Sequence, residues 1–205
     1  MPFSLRQAVF AAPRRFARDE SASLSVEAAI IAPLLLWTFL ATYTYFDVFR
    51  YKSLALKGNY AISDLLSRET STINDDDITG IKNVYRYLTQ SNMQSWVRVT
   101  VVHCAENCAT LNDPGTDRTL EVDWSASSEA GQDVWTNDTI MDQFNDIVPS
   151  IASGERVIIV ETRMQYEPPF AAELTGIDTT EFYDVVVTRP RFAPQLCFEG
   201  VGCGA

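Results

Sequence analysis

The pattern of hydrophobic and polar positions is dominated by one uninterrupted apolar run. No residue from Ala28 to Phe46 is charged. A helix rises about 1.5 Å per residue, so these roughly 19 residues would cover about 28 Å, close to the hydrocarbon thickness of a bilayer. The run is longer than the apolar core of a secretory signal peptide, and no small-residue cleavage site follows it. A buried core helix rarely contains so long an apolar run, so the pattern predicts a transmembrane helix.

Beyond this run, the apolar positions follow a helical period of three to four residues. Polar residues separate them, and the apolar set is Phe46, Phe49, Leu54, Leu56, Tyr60, Ile62, Leu65 and Leu66. This spacing predicts that the helix continues as an amphipathic extension to about Ser67. Gly58 is a weak point in that extension, because glycine costs about 1 kcal/mol relative to alanine inside a helix.

The second half of the chain alternates apolar and polar residues with a period of two. The four alternating stretches are Trp96–Cys104, Thr119–Trp124, Arg156–Tyr166 and Phe182–Arg189. Such alternation predicts strands of a mainly antiparallel sheet with one covered face and one face in water. On this interpretation, the polar members of the central stretches point into solvent: Arg98, Thr100, Glu161 and Arg163.

Two further helices complete the predicted fold. One begins at Asn74 or Asp75 and the other lies near Thr139–Val148. The acidic run from Asp75 to Asp77 suggests calcium, but it lacks the glycine and the glutamate of an EF-hand loop. The sequence therefore predicts an α+β fold, with an N-terminal transmembrane helix that extends into an amphipathic helix packed on a small, mainly antiparallel sheet. The expected divisions are a leader at 1–22, the helix and its extension at 23–67, and an α+β head at 68–205.

Charge is distributed unevenly around the apolar run. Of 16 basic and 27 acidic residues, only four basic and three acidic ones precede Asp47, so the remainder has a net charge of -12. Arg14, Arg15 and Arg18 precede the run, and the positive-inside rule then places the N-terminus in the cytoplasm and the head outside it. An acidic head without a basic stripe argues against nucleic-acid binding.

All four cysteines lie on the far side of the apolar run. They form two local pairs, Cys104 with Cys108 and Cys197 with Cys203. Clustering on one side of a membrane helix indicates an oxidising compartment, in which each pair would close as a disulfide. A zinc site is the alternative, because His103 and the stretch HCAENC could combine with the second cysteine pair.

The sequence gives no reason to expect an enzyme. His103 is the only histidine. The sequence contains neither the nucleophile motif Gly-x-Ser-x-Gly nor a phosphate-binding glycine loop, and neither cysteine pair has the redox spacing C-x-x-C. We therefore predict no catalytic residues, no cofactor and no bound metal.

The stretch ASLSVEAAIIAPLLL resembles the prepilin-type start of TadE-like proteins, minor pilins of the tight-adherence (Flp) pilus system. The features that carry the resemblance are the basic leader RRFARDES, the dipeptide Val26-Glu27, and Pro33 six residues after the glutamate. The resemblance implies cleavage by a prepilin peptidase between Ala22 and Ser23, which makes Glu27 the fifth residue of the mature chain. The chain departs from the family pattern in having alanine, where glycine is usual, before the cut, and alanine, where phenylalanine is common, after the glutamate.

The resemblance implies a structural role in pilus assembly at a bacterial inner membrane. The head would be periplasmic, and the partners would be other pilins or pseudopilins, the pilus machinery and the prepilin peptidase. Glu27 would pair with a complementary charge on a neighbouring subunit, such as a free N-terminal amine. The residues alone leave an alternative, in which Glu27 reaches the lipid headgroups and the protein is an uncleaved, membrane-tethered binding module.

Overall fold

Helix α1 runs from Ser23 to Arg68 in this computed structural model, which describes residues 23–108, 118–129, 134–201 and 203. The predicted leader, residues 1–22, lies outside the described residues. The end of α1 confirms that the helix continues past the apolar run to the predicted end near Ser67. Pro33 lies in the interior of α1, where it removes one backbone hydrogen bond, and the helix continues through it.

Contacts divide the described residues into two compact units. One unit combines α1 up to Phe46 with the short segment Pro169–Ile177. The other takes in Asp47–Pro168 and the chain from Asp178 onward. The amphipathic part of α1 therefore belongs to the same unit as the sheet.

Helix α2 spans Asp75–Thr89 and begins with a capping box. The Asp77 backbone N–H donates to the Asn74 side-chain oxygen at 3.0 Å, and the Asn74 N–H donates to the Asp77 carboxylate at 2.9 Å. The predicted start at Asn74 or Asp75 is confirmed. The acidic run stabilises this helix end, where the exposed N–H groups and the helix dipole favour negative charge.

The described residues contain one four-stranded antiparallel sheet with the strand order β2-β1-β3-β4. The strands are β1 (Ser95–Glu106), β2 (Thr119–Ser127), β3 (Arg156–Tyr166) and β4 (Thr180–Thr188). Helix α3 (Asn137–Phe144) lies between β2 and β3 along the chain, and the single turn α4 (Ala172–Thr175) lies between β3 and β4. The predicted α+β fold with an antiparallel sheet is confirmed.

The predicted solvent-exposed face was wrong for the two central strands. Arg98 is 6% exposed, and Thr100 and Glu161 are 0% exposed. Only Arg163 among the four remains partly exposed. Elements cover both faces of β1 and β3, and the polar residues of the second face pair with one another instead of with water. The alternation of polar and apolar residues correctly predicts which residues share a face. It does not predict whether a polar residue lies in water or in a buried polar network.

One face of the sheet is covered by the amphipathic part of α1. The Asn59 side-chain amide donates to the backbone carbonyls of Val160 at 3.3 Å and Asp184 at 3.0 Å, which places α1 directly against β3 and β4. Apolar residues at helical spacing around Asn59 are almost fully buried: Ala55, Ile62 and Leu66. This spacing places the three residues on one stripe of the helix, which faces the core of the domain.

The opposite face carries an apolar cluster at one end. Helix α3 contributes Ile140 and Phe144, and the strands contribute residues that share one face of the sheet. These are Val102, Cys104, Leu120, Val157 and Ile159. The other end of the same face carries the polar network described below.

Gly58 sets the distance between α1 and α2. A Cβ at this position would lie 3.1 Å from two ring carbons of Tyr85 and 3.3 Å from the Thr89 methyl group. We predict that Gly58→Val lowers the free energy of unfolding by about 1–3 kcal/mol, because the side chain overfills this contact. The measurement is denaturant unfolding of the full chain in detergent, followed by tryptophan fluorescence.

The matched control for this prediction is Gly80→Val. Gly80 lies within α2, and no atom lies within 4 Å of the position of its Cβ. This variant should keep or slightly raise stability, since valine is the better helix former by a few tenths of a kcal/mol. Equal effects at Gly58 and Gly80 would show that the close contact with Tyr85 has no energetic weight.

Asp184 supports a prediction on pH. Burial raises the pKa of the Asp184 carboxyl, and the positive charge of Lys52 partly opposes this rise. A raised carboxyl pKa means that the folded state holds the proton more tightly, so its contribution to stability is present at acid pH and is lost as the pH rises through the folded pKa. We predict that Asp184→Asn is more stable than the parent at about pH 7 and that this gain disappears at about pH 3.

Unfolding curves of both proteins at the two pH values test this, with the exposed Asp142→Asn as control. A gain from Asp184→Asn that is the same at both pH values would contradict the assignment to carboxyl ionisation.

Candidate functional site

The apolar part of α1 carries the residues singled out by the sequence resemblance. Ser23 is the first residue of the helix, Glu27 lies one turn further on with an exposed side chain, and Pro33 follows within the helix. Ala22, the other half of the predicted cleavage site, lies outside the described residues. The structure thus puts Glu27 at the beginning of the apolar run, where its carboxylate projects away from the helix.

The described residues contain one helix that is long and apolar enough to cross a membrane, Ser25–Arg68. None of its most apolar stretch is buried inside the protein. Most of the large apolar side chains of this part are more than half exposed, for example Ile30, Leu34, Leu35, Leu36 and Phe39. A core helix would bury such residues, so the structure favours a membrane helix over a core helix.

Two threonine hydroxyl groups in this part of α1 are satisfied within the helix. The Thr38 hydroxyl donates to the Leu34 carbonyl at 2.8 Å, and the Thr44 hydroxyl donates to the Leu40 carbonyl at 2.9 Å. A polar group that already has a partner costs little in lipid. The exposed Thr38 hydroxyl therefore does not interrupt the apolar surface of the helix, and Thr44 is buried away from that surface.

Both predicted disulfides are confirmed. Cys104 is bonded to Cys108 at the end of β1, and Cys197 is bonded to Cys203 in the C-terminal segment. Since all four thiols are bonded, they are not ligands of a zinc ion. Among the described residues, no cluster of three or more His, Cys, Asp or Glu side chains could hold a metal. The disulfides indicate an oxidising compartment for this part of the chain.

His103 lies next to two carboxylates near the end of the inner strand β1. Its Nδ1 is 2.9 Å from an Asp123 carboxylate oxygen, and its Nε2 is 3.6 Å from a Glu121 oxygen. The Arg156 guanidinium donates to the second Asp123 oxygen at 3.0 Å. The neighbouring Cys104 is held in its disulfide, so it does not offer His103 a nucleophile to activate.

The sequence did not reveal a buried ionic network at the polar end of the second sheet face. Arg98 forms a two-pronged ion pair with Glu161, with distances of 2.7 Å from Nε to Oε2 and 2.6 Å from Nη2 to Oε1. The Trp135 indole N–H donates to Oε2 at 2.6 Å, and the Tyr183 hydroxyl donates to Oε1 at 2.6 Å. Glu161, which is fully buried, therefore accepts four hydrogen bonds, and we call these four residues the Glu161 network.

Aromatic rings stack on the cations around the Glu161 network. The Arg98 guanidinium carbon lies 4.4 Å from the centre of the Trp135 ring and 5.2 Å from that of Trp96. The Arg163 guanidinium carbon lies 5.1 Å from the centres of both the Trp96 and Tyr183 rings. Burial raises the pKa of Tyr183, and its hydrogen bond to the Glu161 carboxylate raises it further. The phenol therefore stays protonated and keeps donating to Glu161.

A groove of about 620 Å³ opens beside this network. Its lining carries three basic residues, Lys82, Arg86 and Arg163, and two acidic ones, Glu129 and Glu181. The remaining lining is largely polar, with Trp96 as its aromatic member. A groove with both charge signs and many hydrogen-bonding groups is suited to a polar partner, and nothing in it forms a nucleophile–base pair.

The Glu161 network was not predicted from the sequence because its members are far apart along the chain. Arg98 and Glu161 are 63 residues apart and lie directly opposite each other only in the β1–β3 register. Trp135 comes from a connection outside the strands. The sign of the network in the sequence is that the strongly apolar strands β1 and β3 each contain a charged residue of opposite sign, Arg98 and Glu161.

Comparisons with known proteins give no further guidance. No protein-family model, no curated protein and no solved structure matches this chain. The function must therefore be argued from the residues and their geometry.

Breaking the Glu161 network should strongly destabilise the fold. We predict that Glu161→Gln lowers the free energy of unfolding by about 3–5 kcal/mol, because it removes the carboxylate charge that forms the two-pronged ion pair with the buried Arg98. Denaturant unfolding of the detergent-solubilised full chain measures this loss.

Asp64→Asn provides the control, since it removes a carboxylate that forms exposed ion pairs with Arg68 and Arg191. Exposed pairs contribute about 0–1 kcal/mol. A loss for Glu161→Gln no larger than that for Asp64→Asn would contradict a structural role for the network.

Proposed function

We propose that this protein is a membrane-anchored, pseudopilin-like component that serves the assembly of a tight-adherence (Flp) pilus, with a structural and not a catalytic role. The observation that carries the proposal is the composition of α1. Its first part exposes an apolar surface with Glu27 near the start, and its second part is the amphipathic helix of a disulfide-bonded α+β domain. A pilin-like subunit needs a helix whose first part packs in lipid or in the core of a fibre. The second part of the same helix packs against the subunit's own head.

The proposed orientation places the N-terminus in the cytoplasm and the head in the periplasm of a bacterial inner membrane. Support comes from the arginines before the apolar run and from the disulfides after it. In this arrangement, a prepilin peptidase cuts between Ala22 and Ser23. The mature chain then begins at the first residue of α1.

Glu27 is the proposed assembly residue. A carboxylate at the edge of the hydrocarbon costs a few kcal/mol unless it reaches water or a partner. A complementary charge on a neighbouring subunit, such as a free N-terminal amine, would remove that cost. The charge therefore favours docking of the helix beside other pilin-like helices.

A tethered binding module is the second candidate, and the groove next to the Glu161 network favours it. On this alternative, the leader is retained and Glu27 only reaches the headgroups. The groove would then bind a polar extracytoplasmic partner through its basic and acidic lining residues.

A charge-neutral substitution tests the assembly role. We predict that Glu27→Gln inserts into membranes and folds normally but yields few pili, because the charge that drives docking is lost. Membrane insertion is measured by resistance to carbonate extraction, head folding by tryptophan fluorescence, and assembly by the amount of sheared pilus and by surface adherence. The matched control is Glu106→Gln, at an exposed position of the head, which should assemble normally.

Unchanged pilus number and adherence in Glu27→Gln would overturn the docking role. The intact mass of membrane-extracted protein separates the two candidates further. A mass lacking residues 1–22 supports the pseudopilin-like role, whereas a retained leader supports the binding module.

A further inference from the structure

The segment Pro169–Ile177, which connects β3 to β4, lies against the apolar part of α1. The Trp37 indole N–H donates to the backbone carbonyl of Leu174 at 2.7 Å. The rings of Tyr43 and Phe170 meet edge to face, with their centres 5.9 Å apart. This segment and the first part of α1 form one compact unit.

The depth of this contact follows from the geometry of the helix. Trp37 precedes Phe46, the last residue of the uncharged run, by nine residues, which corresponds to about 13 Å along the axis. If the hydrocarbon ended at Trp37, the run from Ala28 would cover only about 15 Å, half of the roughly 30 Å required. A spanning α1 must therefore keep Trp37 well inside the hydrocarbon, and the Leu174 carbonyl lies at the same level.

We propose that Pro169–Ile177 is a second, re-entrant membrane segment, inserted among the lipid acyl chains of the leaflet on the head's side. This inference rests on the membrane anchoring in the proposed function and adds a partner surface to it. The occupant of the exposed Leu174 surface is lipid, because the surface is continuous with the lipid-facing surface of α1.

Part of the backbone of the segment is paired within the protein, which lowers the cost of placing it in an apolar medium. Unpaired backbone groups are costly in hydrocarbon, so they need partners within the protein. The N–H groups of Leu174 and Gly176 donate to the carbonyls of Ala171 and Ala172, at 3.0 and 2.7 Å. The Thr175 hydroxyl donates to the Ala171 carbonyl at 3.4 Å, and the Leu174 carbonyl accepts from Trp37.

The energy balance of insertion depends on Glu173. Glu173 is the single charged residue between Glu167 and Asp178, and it costs a few kcal/mol at this depth if it does not reach the headgroups. Leu174 is 49% exposed, and Phe170 and Ile177 are partly buried already, so each gains only part of the roughly 1.5–3 kcal/mol of a full transfer out of water. The apolar gain and the cost of the carboxylate are therefore of similar size, and insertion is favoured when Glu173 reaches the headgroups.

Spin labels on the full chain in lipid vesicles test the insertion. All native cysteines are in disulfides, so a cysteine introduced by Leu174→Cys is the only free thiol to label. The substitution spares the contact with Trp37, which uses the Leu174 backbone. Leu35→Cys, on the apolar part of α1, is the lipid reference, and Tyr87→Cys, at a position 83% exposed in the head, is the water reference.

The measurement compares collisions of each label with oxygen, which concentrates in lipid, and with a water-soluble nickel complex. We expect the oxygen-to-nickel ratio at Leu174 to match that at Leu35 and to exceed that at Tyr87 several-fold. Ile177→Cys repeats the test if the first variant does not fold by tryptophan fluorescence.

Each other outcome overturns the inference in a different way. A water-like ratio at Leu174 with a lipid-like ratio at Leu35 refutes the re-entrant segment and leaves the anchor intact. Low collision rates with both reagents at Leu174 would indicate contact with another protein surface, such as a second copy. A water-like ratio at Leu35 as well would refute the anchor in the proposed function itself.

Discussion

The fold depends on one helix, α1, whose surface changes along its length. In its apolar part, which is the candidate membrane helix, the exposed Thr38 hydroxyl needs no partner in lipid because it bonds to the carbonyl one turn earlier. Outside lipid, the same helix needs a stripe that fits a sheet, which Ala55, Ile62 and Leu66 provide. The change from an all-round apolar surface to a stripe therefore determines where the membrane segment ends and where the α+β domain begins.

The sheet contains a buried ion pair on the face opposite α1. An ion pair such as Arg98–Glu161 gives little net stability over an apolar pair of similar volume, because both charges must lose their water. Its geometry nevertheless constrains the fold. Arg98 and Glu161 are direct partners in the β1–β3 register, and a slip of one residue would turn one of them to the face covered by α1. The network thus disfavours wrong registers between two strands whose apolar residues alone would tolerate several.

What could be predicted from the sequence follows from the range of each interaction. Local patterns gave the end of α1, the start of α2 at Asn74 or Asp75, the bounds of β3 and the pairing of Cys104 with Cys108, because each depends on neighbours within a few residues. The burial of Arg98 and Glu161 was missed, since their partners are brought together only by strand pairing. The contact of Trp37 with Leu174 was missed for the same reason, as 137 residues separate them and the segment Pro169–Ile177 has the composition of an ordinary connection.

The proposed membrane segments share one energetic feature, which is a carboxylate in each. Glu27 lies near the start of the apolar part of α1 and Glu173 lies in the segment beside its middle. Each carboxylate makes the lipid-embedded state less favourable by a few kcal/mol when it lacks a partner. In the proposed assembly role, the subunit has to leave the bilayer for a fibre or its base, and an entirely apolar segment would oppose that transfer by about 25 cal/mol for every Å² re-exposed to water. In that role, a carboxylate without a partner in lipid would lower this barrier, and the apolar side chains around it would still favour the membrane until assembly.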